Sequence, residues 1–179
     1  MSVIGTAPTF DLPGVDGRNH SLSEYADARV LVLVQSCNHC PYVIAWEGRI
    51  NALAREFSDR GVKIVAISSN DAEAYPADSF DAMVVHARKA GYVFDYVYDE
   101  SQEIARALGS ERTPECFVYD ADRRLVYHGA VDDNREESEV TQHYLRDAIE
   151  AALAGETPPV ADTPPVGCTV KWLTQLAGA

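Results

Sequence analysis

The sequence predicts an α/β fold: a central mixed β-sheet flanked by helices, with an N-terminal β arm and an extended C-terminal tail. Three observations predict it. Val30–Val34 is a continuous apolar run, as expected of a strand buried on both faces, and Val62–Ile67, apolar except for Lys63, reads as a second buried strand. Between them, apolar residues recur at Val43, Trp46, Ile50, Leu53 and Phe57, which is one helical stripe. Further on, Glu115–Tyr119 and Leu125–His128 flank the polar stretch Asp120-Ala121-Asp122-Arg123 and read as a hairpin.

The elements follow in order. Thr9–Leu12 and Asn19–Leu22 flank Val15-Asp16-Gly17-Arg18, and Asp-Gly is a strong turn signal, so residues 8–29 form a β arm. The first long strand, the helix after Pro41 and the strand at Val62 make a β-α-β unit, which implies parallel strands. Gly61 closes the helix, since glycine fits the position just past a helix end. Residues 68–78 are polar and contain Pro76, so they read as a loop. Asp78 or Ser79 caps a helix over Phe80–Ala90, which Gly91 ends. Val93–Tyr98 reads as a short strand, Gln102–Leu108 as a short helix and Thr141–Ala154 as a longer one. The tail from Gly155 holds Pro158, Pro159, Pro164 and Pro165 and is therefore extended. It ends in an apolar, β-like patch around Cys168-Thr169-Val170, which suggests docking onto the body.

The bulk properties bound the function. A chain of 179 residues suits one domain spanning 1–179, the last part of it, 155–179, being the extension. The net charge of −13 argues against nucleic acid and against anionic membranes as partners. Met1–Thr6 lacks the basic and apolar regions of a signal peptide, and no run approaches the ~18 apolar residues of a membrane helix. The expected compartment is therefore the cytoplasm, where thiols are mostly reduced.

The chemistry concentrates in Gln35-Ser36-Cys37-Asn38-His39-Cys40-Pro41. A strand that ends in Cys-x-x-Cys and turns into a helix puts two thiols at a helix N-terminus, where partial positive charge favours a thiolate. A thiolate beside a second thiol can exchange disulfides. Placed there, Cys37 is expected to be the more exposed and more acidic thiol, with Cys40 resolving the mixed disulfide. The competing reading is half of a zinc site, but no second Cys-x-x-Cys or His-x-x-x-His supplies the other ligands. Haem attachment through Cys-x-x-Cys-His is excluded because Pro41 follows Cys40. No cofactor and no metal are expected.

Together the arm Phe10-Asp11-Leu12-Pro13, the strand–Cys-x-x-Cys–helix at 30–57 and Thr113-Pro114 before a strand carry a resemblance. The chain resembles the redoxin branch of the thioredoxin-like superfamily, which includes alkyl hydroperoxide reductase and thiol-specific antioxidant proteins, over about residues 5–154. The resemblance implies a thioredoxin-like fold, a cis bond between Thr113 and Pro114, and a proline lying against the dithiol. It implies that Cys37 is the nucleophile. His39 then supports the thiolate, in a position that is also histidine in protein disulfide isomerase. The superfamily's buried acid falls on Leu31 here, so proton handling must differ.

Two further cysteines are read separately. Cys116 follows the proline in an apolar strand and reads as a small core residue. Cys168 is either a packing residue or a third redox thiol that resolves Cys37 or Cys40. Glu47 reads as a surface residue rather than a proton shuttle, and Asp132-Asp133-Asn134 as a solvated turn.

The expected function is a thiol–disulfide oxidoreductase acting on disulfide-bearing proteins or small thiol compounds, served by a thioredoxin- or glutathione-type reductant. The alternatives are a thiol peroxidase and a non-enzymatic metal- or haem-handling protein. Peroxiredoxins use Thr-x-x-Cys; on that pattern Cys40 is the peroxidatic cysteine and Cys37 replaces the threonine.

Overall fold

The computed structural model describes residues 5–174. Five strands form the central sheet: β3 (Val30–Ser36), β4 (Val62–Ser68), β5 (Asp95–Tyr98), β7 (Glu115–Tyr119) and β8 (Leu125–Gly129). Their order is β5-β4-β3-β7-β8. β3, β4 and β5 run parallel, while β7 and β8 are antiparallel to their neighbours, so the sheet is mixed as expected. Four helices cover it: α1 (Pro41–Phe57), α2 (Phe80–Ala90), α3 (Glu103–Leu108) and α4 (Tyr144–Ala154). The arm is a two-stranded ribbon of β1 (Asp11–Pro13) and β2 (Asn19–Ser21). A second ribbon joins β6 (Arg112–Thr113) to β9 (Cys168–Thr169) in the tail. Among the described residues no helix is long and apolar enough to cross a membrane.

The alternation of side chains along β3 divides the core. Val30, Val32 and Val34 pack with Trp46, Phe57 and Ile149 on one face. Leu31 and Leu33 pack with Phe10, Ile104 and Leu108 on the other. Each such side chain contributes about 1.5–3 kcal/mol by leaving water. All seven residues of β3 are buried, which is why the sequence there shows a continuous run rather than alternation.

Local signals set most boundaries. Pro41 opens α1, where no N–H is required, and a short 3₁₀ turn separates α1 from Gly61, which sits in the left-handed region at φ 79°. Of the two candidate caps for α2, Ser79 is the one used: its Oγ accepts from the Ala82 N–H at 3.1 Å. Asp78 serves elsewhere.

Three details differ from expectation. α4 begins at Tyr144, because the Asp133 carboxylate takes the N–H groups of Thr141 (2.9 Å) and Gln142 (3.1 Å). β5 begins at Asp95, because the Val93 N–H goes to Asn51 Oδ1 on α1. Asp132 is not part of a solvated turn: it is buried, pairs with Arg49 at 2.7 Å and accepts from Trp46 Nε1 at 2.7 Å. This ion pair fastens α1 to the loop after β8.

Candidate active site

The end of β3 delivers Cys37 into a tight turn, and Cys40 is the N-cap residue of α1. Val43, one turn into the helix, packs beneath both thiols. Across the gap lies Thr113, whose bond to Pro114 is cis. Its hydroxyl lies 3.7 Å from Cys37 Sγ, and its carbonyl accepts from Cys40 Sγ at 3.5 Å. Cys168 reaches the same cluster because β9 pairs with β6 and sets Thr113 opposite Cys168. The structure thus brings Cys37, Cys40, Thr113, Pro114 and Cys168 together.

The expected contrast between the two thiols is not found. Cys37 and Cys40 are equally buried, each 1% exposed, with Cys168 of the tail packed against them. The acidic member is Cys40. Its interaction with Cys37 is the largest influence on Cys40; despite burial, and with help from Cys168 and Thr113, it holds this thiol below the ordinary thiol range. Cys37 is pushed well above the ordinary thiol range by that same hydrogen bond, by burial and by the Asp78 carboxylate. Burial first, then its hydrogen bond with Cys40, lifts Cys168 to about 11.

Asp78 is the site residue that sequence reasoning missed. It is fully buried and accepts from the Asn38 N–H at 2.8 Å and from Asn70 Nδ2 at 2.8 Å. It also lies 2.8 Å from His39 Nδ1. Its only sequence signal was a carboxylate before a helix, which reads as a cap. Leu31, in the position of the superfamily's acid, is fully buried among apolar side chains, and Asp78 brings a carboxylate to Cys37 from a different loop.

His39 thus lies against Asp78, beside Cys37. Its side chain is 40% exposed and its ring stacks on Tyr75 at 6.3 Å. Donor atoms of Cys37, His39 and Asp78 lie within 4.8 Å of one another, as do those of Asp16, His20 and Asp95. Each set supplies three donors, whereas a structural zinc takes four.

The remaining candidates lie outside the thiol cluster. Cys116 is a buried core residue of β7, with its thiol pushed up by burial. Glu47 is not a free surface group: its carboxylate binds His86 Nε2 at 2.7 Å and the Tyr92 hydroxyl at 2.5 Å. Lys171 Nζ donates to Thr169 O and Oγ1, both at 2.9 Å, and lies over the Tyr75 ring.

A parallel strand–turn–helix carrying two thiols, faced by a cis X-Pro loop on a mixed sheet, defines a thiol redox protein of thioredoxin-like architecture. By its match to the family model over residues 3–128, the chain belongs to the AhpC/TSA family. A hypothetical protein from Sinorhizobium meliloti is 34% identical, with a TM-score of 0.91 over 98% of this chain and 97% of that one. An uncharacterized conserved protein from Geobacillus kaustophilus is 36% identical, with a TM-score of 0.91 over 98% and 94%. A putative thioredoxin from Neisseria meningitidis shares the fold at 17% identity, with a TM-score of 0.66 over 84% and 91%. No curated relative matches.

Proposed function

We propose that the protein is a thiol–disulfide oxidoreductase working through the Cys37–Cys40 couple. One observation carries the reading: Thr113 touches the sulfurs of both cysteines at the start of α1, while a buried carboxylate stands beside Cys37. The Cys40 thiolate attacks a substrate disulfide, and the displaced sulfur leaves as a thiolate and takes up a proton. Cys37 then attacks Cys40 Sγ, closes the Cys37–Cys40 disulfide and releases the second substrate sulfur. Two electrons have moved to the substrate. A thioredoxin- or glutathione-type reductant restores the pair. The proton leaving Cys37 has a route through Asp78 to His39, whose exposed side chain meets solvent.

The test is insulin reduction driven by dithiothreitol. C40S is expected to lower the rate by roughly 10³-fold or more, the scale of losing a nucleophile. Undiminished reduction in C40S overturns the assignment. A specific observation favours a second reading, thiol peroxidase: the acidic thiol is Cys40, which holds the peroxidatic position of Thr-x-x-Cys. Rapid, Cys40-dependent peroxide consumption with a thioredoxin recycling system, without insulin reduction, selects that reading.

A further inference from the structure

The tail meets the site in a way that a two-thiol cycle leaves unused. Beyond the Thr113–Cys168 and Arg112–Thr169 pairs, the Val170 N–H donates to Glu111 O at 3.1 Å. Gly167 presses on the Thr113–Pro114 peptide so closely that a Cβ there would stand 1.9 Å from Thr113 O and 2.7 Å from its carbonyl carbon. Only glycine permits that approach. Further along, the Lys171 N–H donates to Asn70 Oδ1 at 2.8 Å, and Lys171 O accepts from the Asp71 N–H at 2.8 Å. Gln102 brackets the strand, donating to Lys171 O and accepting from the Leu173 N–H, both at 2.9 Å. The tail offers its main-chain groups throughout, met by backbone at Arg112, Thr113, Glu111 and Asp71 and by the side chains of Asn70 and Gln102, much as an extended peptide is held when it adds to a strand edge. The cysteine so presented packs against Cys37 and Cys40, opposite the Thr113 whose carbonyl accepts from Cys40 Sγ, and it is partly open to solvent where Cys37 and Cys40 are sealed.

We infer that the tail is a built-in substrate strand and Cys168 a third redox thiol, exchanging with the Cys37–Cys40 disulfide to give a Cys40–Cys168 disulfide that a reductant can reach. The inference rests on the Cys37–Cys40 couple proposed above. The exchange is balanced. Cys168 loses its proton and attacks Cys40 Sγ; the Cys40–Cys168 bond forms as the Cys37–Cys40 bond breaks. The electron pair leaves on Cys37, which takes up a proton, and no net oxidation occurs. An external thiolate then attacks Cys168 Sγ and expels Cys40. A second external thiol frees Cys168 and carries away the disulfide. By the same geometry, the preferred protein partner offers an extended strand with glycine before its cysteine, and it must displace the tail from Thr113.

Peptide mapping under non-reducing conditions, after full-length protein is oxidised with diamide and alkylated, tests this. The wild type is expected to yield both Cys37–Cys40 and Cys40–Cys168 linked peptides. C37S is expected to convert to the Cys40–Cys168 form in most molecules, and C40S to give little Cys37–Cys168. If C37S keeps Cys40 and Cys168 alkylatable, or links them only between molecules, and the wild type shows Cys37–Cys40 alone, the inference fails while the couple stands. If C168S forms no Cys37–Cys40 disulfide, the couple itself fails. The wild-type map needs no substitution, so a misfolded variant cannot mask the outcome.

Discussion

The N-terminal arm and the C-terminal tail both lie against the central sheet, and they are held by opposite means. Side chains weld the arm. Phe10 and Tyr25 are buried in the core, and His20, 1% exposed, sits between Asp16 at 2.9 Å and Glu24 at 3.0 Å. The Tyr25 hydroxyl donates to Asp95 at 2.6 Å. From Thr163 onward the tail buries only Thr163 and Val170 among its described residues, and it is held chiefly by main-chain hydrogen bonds. A segment fixed by buried side chains leaves only when the core opens. A segment fixed by backbone pairing can be replaced by any strand that offers the same N–H and C=O groups. The arm is architecture; the tail belongs to the site.

The contrast can be broken most sharply at Phe10. Phe10→Ala is expected to cost about 3–5 kcal/mol in urea unfolding while the folded protein keeps its dithiol chemistry. A loss under about 1 kcal/mol would mean that the arm is no better anchored than the tail. Gly167→Ala comes next. It should barely change global unfolding, yet the tail must lift, so alkylation of Cys40 by iodoacetamide should speed up by roughly tenfold, the effect of losing about 1.4 kcal/mol of docking. An unchanged alkylation rate would show that the tail does not guard the thiols. Asp78→Asn addresses the site itself. Removing the carboxylate lowers the pKa of Cys37, read as ultraviolet thiolate absorbance that appears at lower pH; a rise or no change refutes the role given to Asp78.

The smallest effects come from pH. Burial draws His20 down, but Asp16, Asp95 and Glu24 outweigh it and leave it above its ordinary 6.5. His128 behaves alike: Glu115 at 2.6 Å and Asp162 at 2.8 Å outweigh burial. A raised histidine contributes stability that is full below about 6.5 and is lost as pH climbs through the folded value. For His20 the loss should appear in global unfolding. For His128, which ties β8 to the tail, it should appear as faster hydrogen exchange of the Thr163 amide, which is bonded to His128 O. Equal responses in both measurements would erase the distinction between arm and tail.

The sequence made the frame legible because the frame rests on local pattern. Seven consecutive buried residues in β3, a helical stripe after Pro41 and an Asp-Gly turn are each written within a few positions. The Cys-x-x-Cys motif and Thr113-Pro114 were visible for the same reason. What escaped depends on distance along the chain. Asp78 joins the site through a hydrogen bond to a residue 40 positions earlier. Asp132 is buried by Arg49, 83 positions away, so its own polar neighbourhood gave the wrong reading. The acidity of Cys40 follows from its neighbours Cys37, Cys168, Thr113 and Val43 converging on its sulfur, a matter of orientation that helix position alone does not fix.

The pinning of Thr163 has a quantitative consequence for any partner. Its Oγ lies 2.8 Å from the Tyr127 hydroxyl and accepts from the Ala130 N–H at 2.9 Å, so the chain is fixed to β8 just before the strand begins. Only residues 164–167, two of them proline, separate that anchor from Cys168. A tether this short keeps the strand beside Thr113 at an effective concentration on the order of millimolar. A free peptide copying Gly167–Thr169 therefore competes poorly at micromolar levels. A true partner must bring further contacts, or form its bond with Cys168 and carry the strand away with it.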